Sequence, residues 1–138
     1  MVQSVSIVLP TYNERKNIEL LVPEIEQAFK KIKHEILIVD DSSPDGTPEA
    51  ARKLNDTYGN VRLILRRKKE GIGAALREGY NKALHEVILS SDSDLAFEVK
   101  DMLLLLEKID QGFDLVVGSR HLNKGDYKAP SPEIKRKW

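Results

Sequence analysis

The chain of 138 residues has no cysteine. Disulfides, thiolate nucleophiles and thiolate metal sites are thereby excluded, and a reducing compartment suits it. Neither charge sign is in excess: 22 Lys and Arg against 22 Asp and Glu leave a formal net charge of zero. The overall balance therefore points to no polyanionic partner and no nucleic acid, although it leaves room for a local basic patch. Long apolar runs are missing too. Nothing approaches the roughly 20 residues needed to cross a bilayer, and the amino terminus, MVQSVSIVLP, lacks the basic flank and small-residue cleavage site of a signal peptide. The expectation is a cytoplasmic protein. Histidine is scarce, and His34, His85 and His121 show no metal-ligand spacing and read as surface or loop residues. No G-x-G-x-x-G fingerprint opens the first helical stretch, which argues against a Rossmann dinucleotide site.

What is present is an alternation of short apolar strands with stretches of helical period, in a length that suits one domain with a real core. Val5 to Leu9 is a strand closed by Pro10. Ile18, Leu21, Val22, Ile25, Phe29 and Ile32 then mark one helical face, with Asn17 as a candidate cap. Pro23 falls inside that pattern and predicts either a break near Val22 or a helix beginning there. Glu35 to Val39 is a second strand, running into Asp40 and Asp41. The turn formers 42–46 precede Thr47 and Pro48, a cap and first-turn pair for a helix to about Tyr58. Val61 to Leu65 is a third strand, followed by the basic cluster Arg66, Arg67, Lys68 and Lys69. A helix from about Gly71 sets Ile72, Leu76, Tyr80, Ala83 and Leu84 on one side. Val87 to Ser91 is a fourth strand, Glu98 to Asp110 a helix burying Val99, Met102, Leu103, Leu106 and Ile109, and Phe113 to Val117 a fifth strand leading to Gly118-Ser119-Arg120. Strands alternating with helices imply crossover units, a largely parallel sheet and a three-layer α/β domain.

In such a sheet the ligand crevice lies at the carboxyl ends of the strands. Those ends carry Pro10, Tyr12 and Glu14, then Asp40 and Asp41, the basic cluster, Asp92 and Asp94, and Arg120. In extended backbone, positions two apart point the same way, so Asp92 and Asp94 could reach one divalent cation. The plainer reading of that tripeptide is a turn that caps a helix. The company of an aromatic, acids and bases favours a nucleotide diphosphate held through a metal. Lys68, Lys69, Gly71 and Gly73 could offer charge and N–H groups to phosphate, though such a run is more often a solvated loop. Asp40 suits either the sheet end or the turn, and Asp45 and Gly46 read as turn and cap residues.

The ordered motifs SIVLPTYNE, ILIVDDSSPDGT, EGIGAALREGYNKA, Asp92-Ser93-Asp94 and DLVVGSR, from about Ser4 to Arg120, resemble the inverting glycosyltransferase family 2 and within it the dolichol-phosphate mannosyltransferase type. The resemblance implies a Rossmann-like GT-A nucleotide-diphospho-sugar transferase fold, with a sugar-nucleotide-binding region over 1–120 and an incomplete acceptor-side loop and helix start over 121–138. It implies that Pro10, Tyr12, Glu14, Val39 and Asp41 lie against base and ribose, that Ser93 lies close to the nucleotide, that Asp92 and Asp94 hold Mg2+ or Mn2+, and that Arg120 meets a phosphate. Asp94 and Arg120 would then be catalytic, and Arg136 and Lys137 would meet the acceptor phosphate. The implied reaction moves mannose from GDP-mannose to a dolichyl or other polyprenyl phosphate, on the cytoplasmic face of a membrane. An ionised phosphate oxygen attacks, so no strong protein base is needed. Two departures qualify this. Ala96 stands where the family places a metal-assisting Gln, Asn or His, and the chain stops where the family continues into further strands and helices. The alternatives are another sugar nucleotide such as UDP-glucose, or a shortened homologue that binds nucleotide without catalysis. A sheet edge left open by the missing strands would suit a homodimer.

Overall fold

A computed structural model of the chain describes residue 2 and residues 4–67, 69–93 and 98–117. Within them run β1 (Ser4–Thr11), α1 (Arg15–Ala28), β2 (Lys33–Asp40), α2 (Thr47–Tyr58), β3 (Val61–Leu65), α3 (Ile72–Lys82), β4 (Val87–Ser90) and α4 (Val99–Asp110). The strands form one parallel sheet in the order β3-β2-β1-β4. They read as nearly continuous apolar runs because both faces are covered. Val5, Ile7, Leu9, Ile36, Ile38, Val61 and Leu89 belong to a large core with α1, α2 and α4, while the alternate residues Val8, Leu37, Val39 and Ile64 pack with Ala75 of α3 in a smaller one.

Gly79 sets how closely α3 lies on the sheet. A methyl group there would sit 2.4 Å from Val8 Cγ1 and 3.2 Å from Val39 Cγ2. The side expected from apolar spacing is therefore not the buried one. Ala75 and Gly79 are buried, Leu76 and Ala83 pack at the margin, and Ile72, Tyr80 and Leu84 are exposed. Gly79→Ala should lower the unfolding free energy by about 2 kcal/mol in urea denaturation, because overpacking outweighs the roughly 1 kcal/mol gained in helix propensity.

Three other expectations are corrected. Helix α1 begins at Arg15 and continues through Pro23, and Asn17 lies inside it, donating its amide to Glu14 Oε2 at 2.6 Å rather than capping. Ile18, Leu21, Val22 and Ile25 bury a face on both sides of the proline, and that packing outweighs one missing hydrogen bond. Residues 113–117 form no strand, and Phe113, Leu115 and Val117 are exposed. An apolar run becomes a strand only where it has an edge to pair with, and none of the described strands pairs with this one. His34 is not a surface residue. Its side chain is buried against Phe29, with Nε2 3.0 Å from Glu26 Oε2 and Nδ1 2.7 Å from the Ile32 carbonyl.

At the amino edge of the sheet Glu35 is buried and accepts three hydrogen bonds, from the Ser6 hydroxyl (2.6 Å), Arg62 Nη1 (2.7 Å) and the Leu84 N–H (2.8 Å). Burial alone would raise its pKa. The three donors and the Arg62 charge outweigh burial and hold the carboxyl below its ordinary range.

Candidate functional site at the carboxyl edge

The connections from β1 through α1 and α2 carry the chain one way, to β2 and then β3. The connection through α3 then crosses the opposite face and sets β4 on the free side of β1. The chain thus diverges on either side of β1, and the crevice belongs at the carboxyl ends of β1 and β4. Pro10 opens it. The β1–β4 ladder is registered as far as Val8 and Ser90, and the Ser91 N–H still reaches the Val8 carbonyl at 3.2 Å. Two residues further along the same edge, Pro10 has no N–H to continue the ladder. The Ser93 hydroxyl takes the Pro10 carbonyl instead, at 3.1 Å. The acidic turn is therefore pinned against the start of the Tyr12 loop, with Ser93 buried and Asp92 half-buried.

The loop after β2 is built on Asp40. This carboxylate is fully buried and accepts the Thr11 hydroxyl (2.8 Å), the Ser43 hydroxyl (2.6 Å) and the Ser43 N–H (2.8 Å). Ser43 Oγ in turn accepts the Asn13 N–H at 2.8 Å, so one acid fixes two loops. Asp40 thus serves both the sheet end and the turn. Asn13 and Ser42 sit at φ 56° and 58°, left-handed conformations that this bonding stabilises. Asp45 Oδ1 accepts the Thr47 N–H at 3.0 Å and the Thr47 hydroxyl, and its Oδ2 accepts the Arg15 N–H at 3.3 Å. Burial raises its pKa, but these donors prevail and lower it. Gly46, not Thr47, is the residue before α2, and the Thr47 hydroxyl accepts the Glu14 N–H at 3.1 Å.

Asp41 differs from its neighbour. It is buried, and its Oδ1 lies 3.0 Å from Arg66 Nε, a pairing of charges in which the N–H is not aimed at the oxygen, so both atoms lack a hydrogen-bond partner. Burial raises the Asp41 pKa, the Arg66 charge opposing it and Asp40 and Glu70 adding to it. Arg66, expected in a basic cluster facing solvent, is instead an internal hub. Nη1 donates to Glu78 Oε2 (2.7 Å) and the Ala74 carbonyl (3.1 Å), and Nη2 lies 3.4 Å from Glu70. Nothing in the run Arg66 to Lys69 distinguished it from its neighbours. The Asp40–Ser43 spacing, by contrast, is a legible turn signal.

The sequence candidates are placed as follows. Pro10 and Val39 are buried neighbours in the β1–β2 register, and the Val39 side chain belongs to the core under α3. Tyr12 is 39% exposed, with Lys69 Nζ 4.2 Å from its ring centroid. Glu14 precedes α1 and is half-buried. Asp94, Ala96, Arg120, Arg136 and Lys137 lie outside the described residues, as does Lys68. Among the described residues no three His, Asp or Glu side chains gather as a metal site, and no helix is long and apolar enough to cross a membrane. A separate shallow groove of about 490 Å3 runs between α1 and α4, lined by Pro23, Gln27, Val99 and Leu103, and none of these loops contributes to it.

An open parallel sheet with this order and helices on both faces is the α/β fold of the GT-A glycosyltransferases. The chain belongs to glycosyl transferase family 2, whose family model matches residues 6–136. It is 39% identical over 121 residues to a dolichol-phosphate mannosyltransferase of Pyrococcus furiosus, covering 88% of this chain and 34% of that protein. It is 35% identical over 127 residues to a polyprenol monophosphomannose synthase of Mycolicibacterium smegmatis, covering 89% of this chain and 47% of that protein. Among solved structures it resembles the mannosyltransferase PcManGT of Pyrobaculum calidifontis in complex with GDP-Man and Mn2+, at 34% identity and a TM-score of 0.58, over 65% of this chain and 27% of the other. The chain thus spans between a third and a half of the length of these two curated relatives.

Proposed function

We propose that this chain supplies the donor site of an inverting, metal-dependent transfer of mannose from GDP-mannose to a dolichyl or other polyprenyl phosphate. The observation that carries this reading is the carboxyl end of β1, where the Ser93 hydroxyl on the Pro10 carbonyl holds Asp92 near the start of the Tyr12 loop and the Asp41 N–H on the Thr11 carbonyl holds the end of β2 alongside. The likeness to relatives named as mannosyltransferases supports it. Tyr12 offers a face for the base, while Asp41 and Glu14 accept from base N–H groups or ribose hydroxyls; Val39, expected beside them, points into the core under α3 instead.

Asp92 and Asp94 are hard oxygen donors of the kind Mg2+ or Mn2+ takes, and Asp92 stands at the strand end where the diphosphate would lie. Such a cation, when bound, supplies charge that offsets the build-up on the departing diphosphate. An ionised oxygen of the lipid phosphate attacks the anomeric carbon as the bond to the diphosphate breaks, giving inversion and releasing GDP. Arg120 would steady the diphosphate or the acceptor phosphate, and Arg136 and Lys137 the acceptor. In this reading residues 1–120 serve the donor and 121–138 the acceptor side, at the cytoplasmic surface of a membrane.

Asp41 favours a second reading as well, since a single carboxylate accepts from a purine N1–H or a pyrimidine N3–H alike. Titration of the chain with GDP, UDP, GDP-mannose and UDP-glucose, with and without Mn2+, separates the two. The expected result is Mn2+-dependent binding with GDP at least about 10-fold tighter than UDP, a difference equivalent to one good hydrogen bond. Tighter UDP binding would replace GDP-mannose by a uridine donor. Absence of binding to every nucleotide would overturn the donor site itself.

A further inference from the structure

We infer that Lys69 is a further residue of the donor site: its ammonium, which lies on the Tyr12 ring, yields that ring face to the nucleobase and then faces the diphosphate. The inference rests on the donor reading above. Lys69 Nζ stands 4.2 Å from the Tyr12 ring centroid, within cation–π range, on a ring that is 39% exposed. A base stacked on that face and an ammonium at that distance cannot share it. The aromatic of the crevice is thus already in contact with a cation of its own chain.

The loop that carries Lys69 is fixed at its base and open at its tip. At the base the Arg66 N–H donates to the Asp40 carbonyl at 2.8 Å, and the Arg66 side chain, 11% exposed, pairs with Asp41, Glu70 and Glu78. Beyond it Arg67, Lys69, Glu70 and Gly71 are exposed. Gly71 has φ +97°, and neither it nor Gly73 has an atom within 4 Å of where a Cβ would be. The swing of the Lys69 side chain is cheap, because an exposed cation–π contact is worth only about 2- to 5-fold in an equilibrium. Stacking of a base on an aromatic ring is worth about 5- to 150-fold, so the base displaces the ammonium. A displaced ammonium beside a nucleoside has lost its partner. Beside a nucleoside diphosphate it gains an anionic one.

That difference provides the test. Guanosine and GDP are titrated in the presence of Mn2+ into the wild-type chain, Lys69→Gln and Lys69→Arg, with thermal melting to show that these exposed substitutions leave the fold intact. Lys69→Gln should bind guanosine about 2- to 5-fold more tightly and GDP about 10-fold more weakly. Lys69→Arg should bind both as the wild type does. Equal changes for both ligands in Lys69→Gln, or no change for either, overturn the inference while leaving the donor site in place. A wild-type chain that binds neither overturns the donor reading first.

Discussion

Asp94→Ala is expected to abolish the metal-dependent part of GDP binding, lowering affinity in the presence of Mn2+ by about 100-fold, and Asp92→Ala is expected to do nearly the same. Loss of a group that merely supports a metal ligand costs about 10- to 100-fold, so loss of a charged ligand itself falls at or beyond the top of that range. In the proposed site two carboxylates would carry the metal, since Ala96 offers no third donor. Loss of either therefore removes half of the protein's anionic charge toward the cation. The signature is convergence: without Mn2+ wild type and variants should bind GDP equally weakly, and only the wild type should gain when the metal is added. Asp92→Asn keeps an oxygen donor but not the charge and should fall between. Affinity undiminished in Asp94→Ala at saturating Mn2+ would remove the acidic turn from the site.

The second large effect lies at the opposite edge of the sheet. Glu35→Ala should lower the unfolding free energy by about 3 kcal/mol in urea denaturation. It removes the acceptor for the Ser6 hydroxyl and the Leu84 N–H, both within the packed sheet edge, and strands the inward end of Arg62. The pH dependence follows from the lowered pKa of Glu35. The unfolded chain takes up the proton at the ordinary value of 4.5, the folded chain only below it. The stabilisation is therefore complete above about 4.5 and is lost as pH falls through the lower, folded value. Glu35→Gln, which keeps the shape but cannot titrate, should be less stable than wild type at pH 7, with the gap closing as the pH falls below 4.5 and through the lower, folded value. A constant gap over that range would show that the charge on Glu35 contributes nothing.

Much of the fold is legible in local pattern. Apolar runs and helical spacing locate β1 to β4 and α2 to α4 to within a few residues, and of these eight elements miss only the continuity of α1 through Pro23, because burial on both faces of a parallel sheet leaves a strong imprint on sequence. Failures arise where a residue's partner is distant in the chain. Gly79 decides how α3 lies, but the reason is the approach of Val8 and Val39, which no window around Gly79 contains. Residues 113–117 have the composition of a strand, and composition does not supply a neighbouring edge. Glu35 at the start of β2 is buried by Ser6 and by the Leu84 N–H, 29 and 49 residues away in the chain.

The two acids after β2 show where the division falls for the site. By itself the sequence determined that acids, an aromatic and a basic run stand where strands end, since strand ends follow from local apolar pattern and turn chemistry. The family resemblance puts Asp41 against the nucleotide and leaves Asp40 to the sheet end or the turn, but spacing alone does not separate them. Tertiary structure made that decision: Asp40 is filled by Thr11 and Ser43 and becomes framework, whereas Asp41 pairs with the buried Arg66 at 3.0 Å. Likewise Pro10 marks a strand end in sequence, while only the placing of β4 beside β1 gives its carbonyl the Ser93 hydroxyl as a partner. The physical reason is common to both. Hydrophobic period is a property of one segment, but the satisfaction of a buried polar group depends on which segments meet.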